Sequence, residues 1–256
     1  MSNLFWLTDA QMARLQPFFP KSHGKPRVDD RRVLSGIIFI NRNGLRWCDA
    51  PREYGPPKTL YNRWKRWSGK GVFARMMDGL AAEAAVPKTV MIDATYLKAH
   101  RTGDQPAVEK GGADDHRGRL IGRTKGGMNT KLHAVADADG RPIRFFMTAG
   151  QVSDYTGAAA LLGSLPKADW LLADRGYDAD WFRDALKDKG IKPCIPGRKS
   201  RGKPIKHDKR RYKRRNRIEI MFGRLKDWRR VATRYDRCPK VFLSAVALAA
   251  TIMFWL

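Results

Sequence analysis

Cysteine is scarce in this chain. Its 256 residues hold only Cys48, Cys194 and Cys238, an odd number, far apart, with no C-x-x-C pair. That spacing excludes a disulfide framework and a zinc finger, and it fits a reducing, cytosolic setting. Long hydrophobic runs are lacking too. The stretch from Val241 to Leu256 is apolar apart from Ser244 and Thr251, but it is short for a bilayer span and reads as a buried core helix. The opening MSNLFWLTDAQ has none of the basic-then-apolar layout of a signal peptide, so no membrane partner is expected. There is no internal repeat and no Gly-rich loop of P-loop spacing. Acidic residues are the last deficit: 25 Asp and Glu stand against 51 Lys and Arg, a formal net charge of +26. Such an excess implies a polyanionic partner, most often nucleic acid.

The positive charge is concentrated. Arg198–Arg230 carries 16 basic and 3 acidic residues, half the net charge of the whole chain. A solubility device would be spread out; a track for phosphates would be gathered in this way. The length allows one large domain or two modest ones, and a change of pattern near Pro87 divides the chain into 1–86 and 87–256.

Residues 1–86 read as helical. Thr8 and Gln11 form a capping box, and the helix it starts closes at Pro20. Asp29 is the N-cap of a strongly apolar second helix that stops at Gly44. A third helix, from about Thr59 to Trp67, turns Leu60, Trp64 and Trp67 inward and Arg63, Lys65 and Arg66 outward. Short helices, buried tryptophans and a basic third helix resemble a helix-turn-helix, in which that helix enters the DNA major groove. Arg63, Lys65 and Arg66 are therefore candidate DNA contacts. A fourth helix is expected over Val72 to Ala85.

From Thr89 the pattern is mixed α/β. TVMIDATYL is a short apolar strand with Asp93 at its middle, where an unpaired charge is costly. Arg101 to Met128 is Gly-rich, charged and aperiodic, and reads as a flexible loop. Two strands joined at Asp137–Gly140 follow, then a helix, a strand ending on Asp174, a helix and a strand at Ile191–Ile195. That order resembles the RNase H-like fold, a mixed sheet covered by helices. The segment Arg211 to Trp228 is read as a helix. At about 100° per residue, Tyr212, Arg215, Glu219 and Lys226 share one face, and Ile218, Met221, Phe222 and Leu225 form the apolar stripe beside it.

Asp93 and Asp174 each lie in a short apolar strand, and Glu219 on a helix after the last strand. If the two strands are neighbours, their carboxylates can share a cation and the helix can bring Glu219 to a second. Three carboxylates suit Mg²⁺ or Mn²⁺, hard ions that prefer oxygen. Two such ions about 4 Å apart support phosphodiester chemistry without a covalent nucleophile. Asp137, Asp139, Asp178 and Asp180 lie in turns or at a helix start, where capping explains them.

The sequences IDATY around Asp93 and ADRGYD around Asp174, and the spacing Y-x2-R-x3-E-x6-K from Tyr212 to Lys226, resemble DDE transposases of bacterial insertion sequences. They match family five in particular, with the last signature shared with family four. WCDAP and YNRWKRW are similar to the family-five DNA-binding domain, so the likeness covers nearly the whole chain. The resemblance implies that Asp93, Asp174 and Glu219 are a metal-binding catalytic triad using two Mg²⁺ or Mn²⁺ ions. It implies that Tyr212, Arg215 and Lys226 contact DNA. The implied partners are double-stranded DNA, as terminal inverted repeats and target, and further copies of the chain in a dimer or higher synaptic assembly. The implied setting is the bacterial cytoplasm, at the nucleoid. A non-catalytic DNA-binding regulator or an RNase H-like nuclease without strand transfer are the alternatives.

Overall fold

A computed structural model describes residues 4–21, 29–101 and 116–256. It comprises two compact units. The first joins the N-terminal helices, up to Leu80, with Leu225–Leu256 and a short piece at His100. The second holds the remaining residues, Ala81–Ala99 and the stretch to Arg224. The sequence division near residue 86 lies close to one of these borders. Leu225–Leu256, grouped by sequence with the second domain, belongs to the first unit.

In the first unit, α1 (Asp9–Leu15) carries the expected capping box between Thr8 and Gln11. Helix α2 (Asp30–Asn43) starts at Asp29, whose side chain accepts the Arg31 N–H. It stops where Gly44 adopts φ 71°, a conformation nearly free for glycine. Helix α3 (Pro57–Gly69) buries Leu60, Trp64 and Trp67, and α4 (Val72–Ala82) buries Phe73 and Met76. The connection from α2 to α3 contains two 3₁₀ turns, Trp47–Asp49 and Arg52–Tyr54, and is longer than the turn of a helix-turn-helix. The C-terminal helix Pro239–Ala250 buries Phe242, Val246 and Leu248. Arg230 and Arg14 tie this C-terminal region to the N-terminal helices: Arg230 Nη2 donates to the Leu45 carbonyl at 2.8 Å, and Arg14 Nη1 to the Trp255 carbonyl at 2.7 Å. Among the described residues, no helix is long and apolar enough to cross a membrane. All three cysteines are free.

One expectation for α3 is corrected. Arg63 does not face outward: it is 6% exposed, is ion-paired with Asp30 and lies 5.0 Å from the centre of the Trp67 ring. The outer face of the helix is made by Lys58, Tyr61, Asn62, Lys65 and Arg66, all exposed. A guanidinium with an acid and an indole in reach gains more from them than from water, and helical periodicity does not see that.

The second unit is built on a mixed sheet. Strand β1 (Thr89–Ala99) is central. It pairs antiparallel with β3 (Gly127–Asp137) and parallel with β5 (Trp170–Leu172). Outward from β5 lies β6 (Lys192–Cys194), also parallel. The far edge of β3 is shared by β2 (Gly122–Thr124) and β4 (Pro142–Ala149), both antiparallel. Helices α5 (Asp154–Leu162) and α6 (Asp180–Asp188) contribute Ala158, Leu161, Phe182 and Leu186 to a core with Val90, Ile92, Leu171 and Ala173 of the strands.

Residues 102–115 of the expected flexible loop lie outside the described residues. The rest departs from the expectation: His116–Arg119 is a 3₁₀ turn, and β2 forms a hairpin with the start of β3. A three-residue strand such as β2, beside a Gly-containing turn, is too short to leave a periodic signal.

The basic segment then runs through α7 (Lys209–Tyr212), a 3₁₀ turn (Lys213–Arg215) and α8 (Asn216–Lys226). The single helix expected from Arg211 to Trp228 is thus a helical path of three pieces. The turn between β3 and β4 closes against α8. Gly140 has φ 83°, and a Cβ there would lie 2.8 Å from the Arg217 carbonyl oxygen. Only glycine gives both the turn and the close approach.

Candidate active site

Strand register brings the two aspartates together. Met91 of β1 pairs with Leu172 of β5, so two residues further along the parallel pair Asp93 stands beside Asp174. Neighbouring strands are about 4.8 Å apart. Side chains alternate along a strand, and Val90, Ile92, Leu171 and Ala173 all enter the core under α5 and α6. Asp93 and Asp174 therefore project from the opposite face, both on the same side of the sheet.

Each carboxylate is held locally. Asp93 Oδ1 accepts the Ala94 N–H at 2.8 Å. Asp174 Oδ1 accepts the Gly176 N–H at 2.8 Å and caps the 3₁₀ turn Arg175–Tyr177. Capping, the ordinary explanation for an Asp at a strand end, is thus true of Asp174, and it leaves Oδ2 of that carboxylate without a hydrogen bond in this turn.

Arg215 links Asp93 to Glu219. Its Nη1 donates to Asp93 Oδ2 at 2.7 Å, and its Nη2 pairs with Glu219 Oε1. Tyr212 supports it from below, with its ring centre 5.8 Å from the guanidinium carbon, and His207 packs edge-on to Tyr212 at 5.4 Å. Asp93 and Arg215 are each 16% exposed at the side chain and Glu219 is half exposed. Burial pushes the Asp93 carboxyl up to about 6; the Ala94 N–H and Arg215 oppose this, and the nearby charges of Asp174 and Glu219 add to it. Asp93 thus feels the charges of both Asp174 and Glu219.

Four of the expected residues, Asp93, Asp174, Glu219 and Arg215, are thereby gathered on one face, with Tyr212 behind Arg215. Lys226 is exposed, at the C-terminal end of α8. Lys65 and Arg66 are exposed on α3 and Arg63 is buried. Among the described residues, no three Asp, Glu, His or Cys side chains converge on a single point. The donor chemistry nevertheless suits a hard cation, and the Arg215 guanidinium is itself a cation held between Asp93 and Glu219.

Sequence reasoning missed Asp178, which it left as a capping residue. Its side chain is fully buried and accepts from Arg183 Nε at 2.8 Å, Arg201 Nε at 2.6 Å and the Arg198 N–H at 2.7 Å. Burial would raise its carboxyl, but these donors win and hold it at about 2. Its partners are 5 to 23 residues away in sequence, so no local pattern could have found them.

Comparison with known proteins agrees with this architecture. Residues 85–254 match the family model "Transposase DDE domain", and residues 7–77 match "Putative transposase of IS4/5 family". The chain is 39% identical over 131 residues to the "putative transposase for insertion sequence element IS6501" of Brucella ovis, which covers 50% of this chain and 99% of that protein. It is 29% identical over 181 residues to the corresponding IS402 protein of Burkholderia cepacia, covering 63% of this chain and 83% of that one. The fold is similar to that of the piggyBac transposase in a synaptic complex with hairpin DNA. There the TM-score is 0.51 at 9% identity, over 94% of this chain and 69% of that chain.

Proposed function

The chain belongs to the DDE-domain transposases of bacterial insertion sequences, and we propose that Asp93, Asp174 and Glu219 are its catalytic carboxylates. One observation carries this reading. An aspartate within the central strand stands beside one just past the end of its parallel neighbour, and an arginine ties the first to a glutamate on a later helix.

These three carboxylates would hold Mg²⁺ or Mn²⁺, two ions per site. When bound, the ions supply the Lewis acidity that activates a water or a 3′-hydroxyl and steadies the leaving oxygen of a phosphodiester. The chain's own residues do the rest. Arg215 keeps Asp93 and Glu219 at a fixed separation and presents a guanidinium at the place where a phosphate must lie. Tyr212 orients Arg215, and Lys226 provides a further cation along the same helix for the DNA end. No residue of the site needs to form a covalent bond with DNA.

Residues 1–80 and the basic track bind double-stranded DNA, with Lys65 and Arg66 on the outer face of α3 as phosphate or base contacts. The terminal inverted repeats are recognised there, the freed 3′-hydroxyl ends attack target DNA, and two ends processed together call for at least two copies of the chain.

The test is joining of a labelled duplex, carrying the terminal repeat that borders the gene, to a supercoiled plasmid in Mg²⁺ or Mn²⁺. Wild type should give joined product, and Glu219→Gln should give none while still binding the duplex. Removing an essential catalytic carboxylate costs about 10³-fold or more. Binding without cleavage by the wild type would make the chain a DNA-binding regulator; cleavage without joining would make it a nuclease.

A further inference from the structure

The residues that follow Asp174 are stitched to the start of the basic track. The turn Arg175–Tyr177 exposes two carbonyls to Arg198: its Nη2 donates to Gly176 O at 3.1 Å and its Nε to Arg175 O at 3.3 Å. The Arg198 guanidinium also lies 4.8 Å from the Tyr155 ring centre, and Tyr155 Oη donates to the Asp178 carbonyl at 3.2 Å. The Arg198 backbone N–H and Arg201 both end on Asp178 Oδ2. The other oxygen takes Arg183 of α6, whose Nη2 in turn donates to the Ile195 carbonyl, just past β6, at 2.8 Å. Arg201 closes the network on Asp180 at 2.6 Å.

Asp178 thus joins helix α6 to the segment 198–201, Arg183 extends the link to the end of β6, and Arg198 joins the same segment to the Asp174 turn. Around these anchors Lys199 and Lys203 are exposed.

We propose that Asp178 is a positioning residue for the DNA reaction, fixing the basic segment 198–203 in register with the Asp174 carboxylate. The inference rests on the reading of Asp174 as catalytic and of the basic track as a DNA surface. A phosphate held by the segment then lies at a set distance from the carboxylate that must act beside it. A shift of about 1 Å between a bound group and its catalytic partner costs on the order of 10²-fold in rate. Removing Asp178 takes a negative charge away from a DNA-binding protein, so DNA affinity should be kept or strengthened. Loss of rate with affinity retained is the signature of positioning.

The experiment uses the full chain with three readouts. The first is hydrogen exchange of the peptide 197–203, the second the affinity for the labelled terminal-repeat duplex, and the third the maximal rate of joining at saturating duplex. Asp178→Asn should speed exchange in 197–203 by about tenfold or more. It should leave the Kd within about threefold and lower the maximal rate by about tenfold or more. Should Asp178→Asn fail to fold, Arg201→Lys, which keeps the net charge and the Asp178–Arg183 pair, should act in the same direction with a smaller loss of rate. An unchanged rate with loosened 197–203 overturns the proposal, as does a fall in affinity that accounts for the fall in rate. Wild type that joins no DNA would instead sink the catalytic reading, and the exchange result would still decide whether Asp178 anchors the segment.

Discussion

Replacing Arg63 by Ala separates two roles that the basic third helix invites. Read from periodicity, Arg63 faces DNA and its loss weakens binding. In the structure it is 6% exposed, paired with Asp30 and 5.0 Å from the Trp67 ring centre. Breaking a buried pair by removing one partner costs about 3–5 kcal/mol. Asp30 is 17% exposed at its side chain, so water recovers part of that; the lost stacking on Trp67 adds about 1 kcal/mol back. The expected loss is about 2–4 kcal/mol, against less than about 0.5 kcal/mol for an exposed basic residue such as Lys65. The assay is urea unfolding followed by tryptophan fluorescence; six of the eight tryptophans (Trp6, Trp47, Trp64, Trp67, Trp228 and Trp255) belong to the first unit. An Arg63→Ala protein as stable as wild type, with DNA binding weakened as in Lys65→Ala, would refute the argument and return Arg63 to the DNA face.

Three further outcomes are expected. Lys65→Ala and Arg66→Ala should each lower the slope of log affinity against log salt by about 0.9 while unfolding at the wild-type urea concentration, provided each holds a phosphate. An unchanged salt slope would remove the residue from the interface. Gly140→Ala must place a Cβ at 2.8 Å from the Arg217 carbonyl and adopt φ 83°. It should cost about 2–4 kcal/mol, and because Glu219 is two residues from Arg217, joining activity should fall beyond what the lost stability explains. Full activity in the folded Gly140→Ala protein would refute that coupling. Asp178, held at about 2 by its donors against the ordinary value of 3.8, contributes stability present in full above about pH 4 and lost as pH falls toward about 2, on the order of 2 kcal/mol. Acid unfolding of wild type and Asp178→Asn should therefore converge at low pH; a constant gap would show that the carboxylate does not titrate as described.

The sequence by itself determined the local elements and the chemistry of the site. Caps at Thr8 and Asp29 and the stop at Gly44 are local events, written in a few neighbouring residues, and they fall where the pattern put them. Asp93 and Asp174 were singled out because a charge inside a short apolar strand is costly, and Glu219 because of its spacing from Tyr212, Arg215 and Lys226. Tertiary structure alone decided what lies next to what. That Asp93 and Asp174 share a face depends on β1 and β5 being parallel neighbours in one register, which no single strand encodes. Arg63 turns inward because Asp30, 33 residues earlier, waits for it. Asp178 became a buried hub through arginines up to 23 residues away. The C-terminal helix joined the N-terminal helices because an apolar stripe specifies that it must be covered, not by which part of the chain. Helix caps and periodicity act over one or two turns; ion pairs and sheet register act across the fold, and their partners are chosen only when the chain has closed.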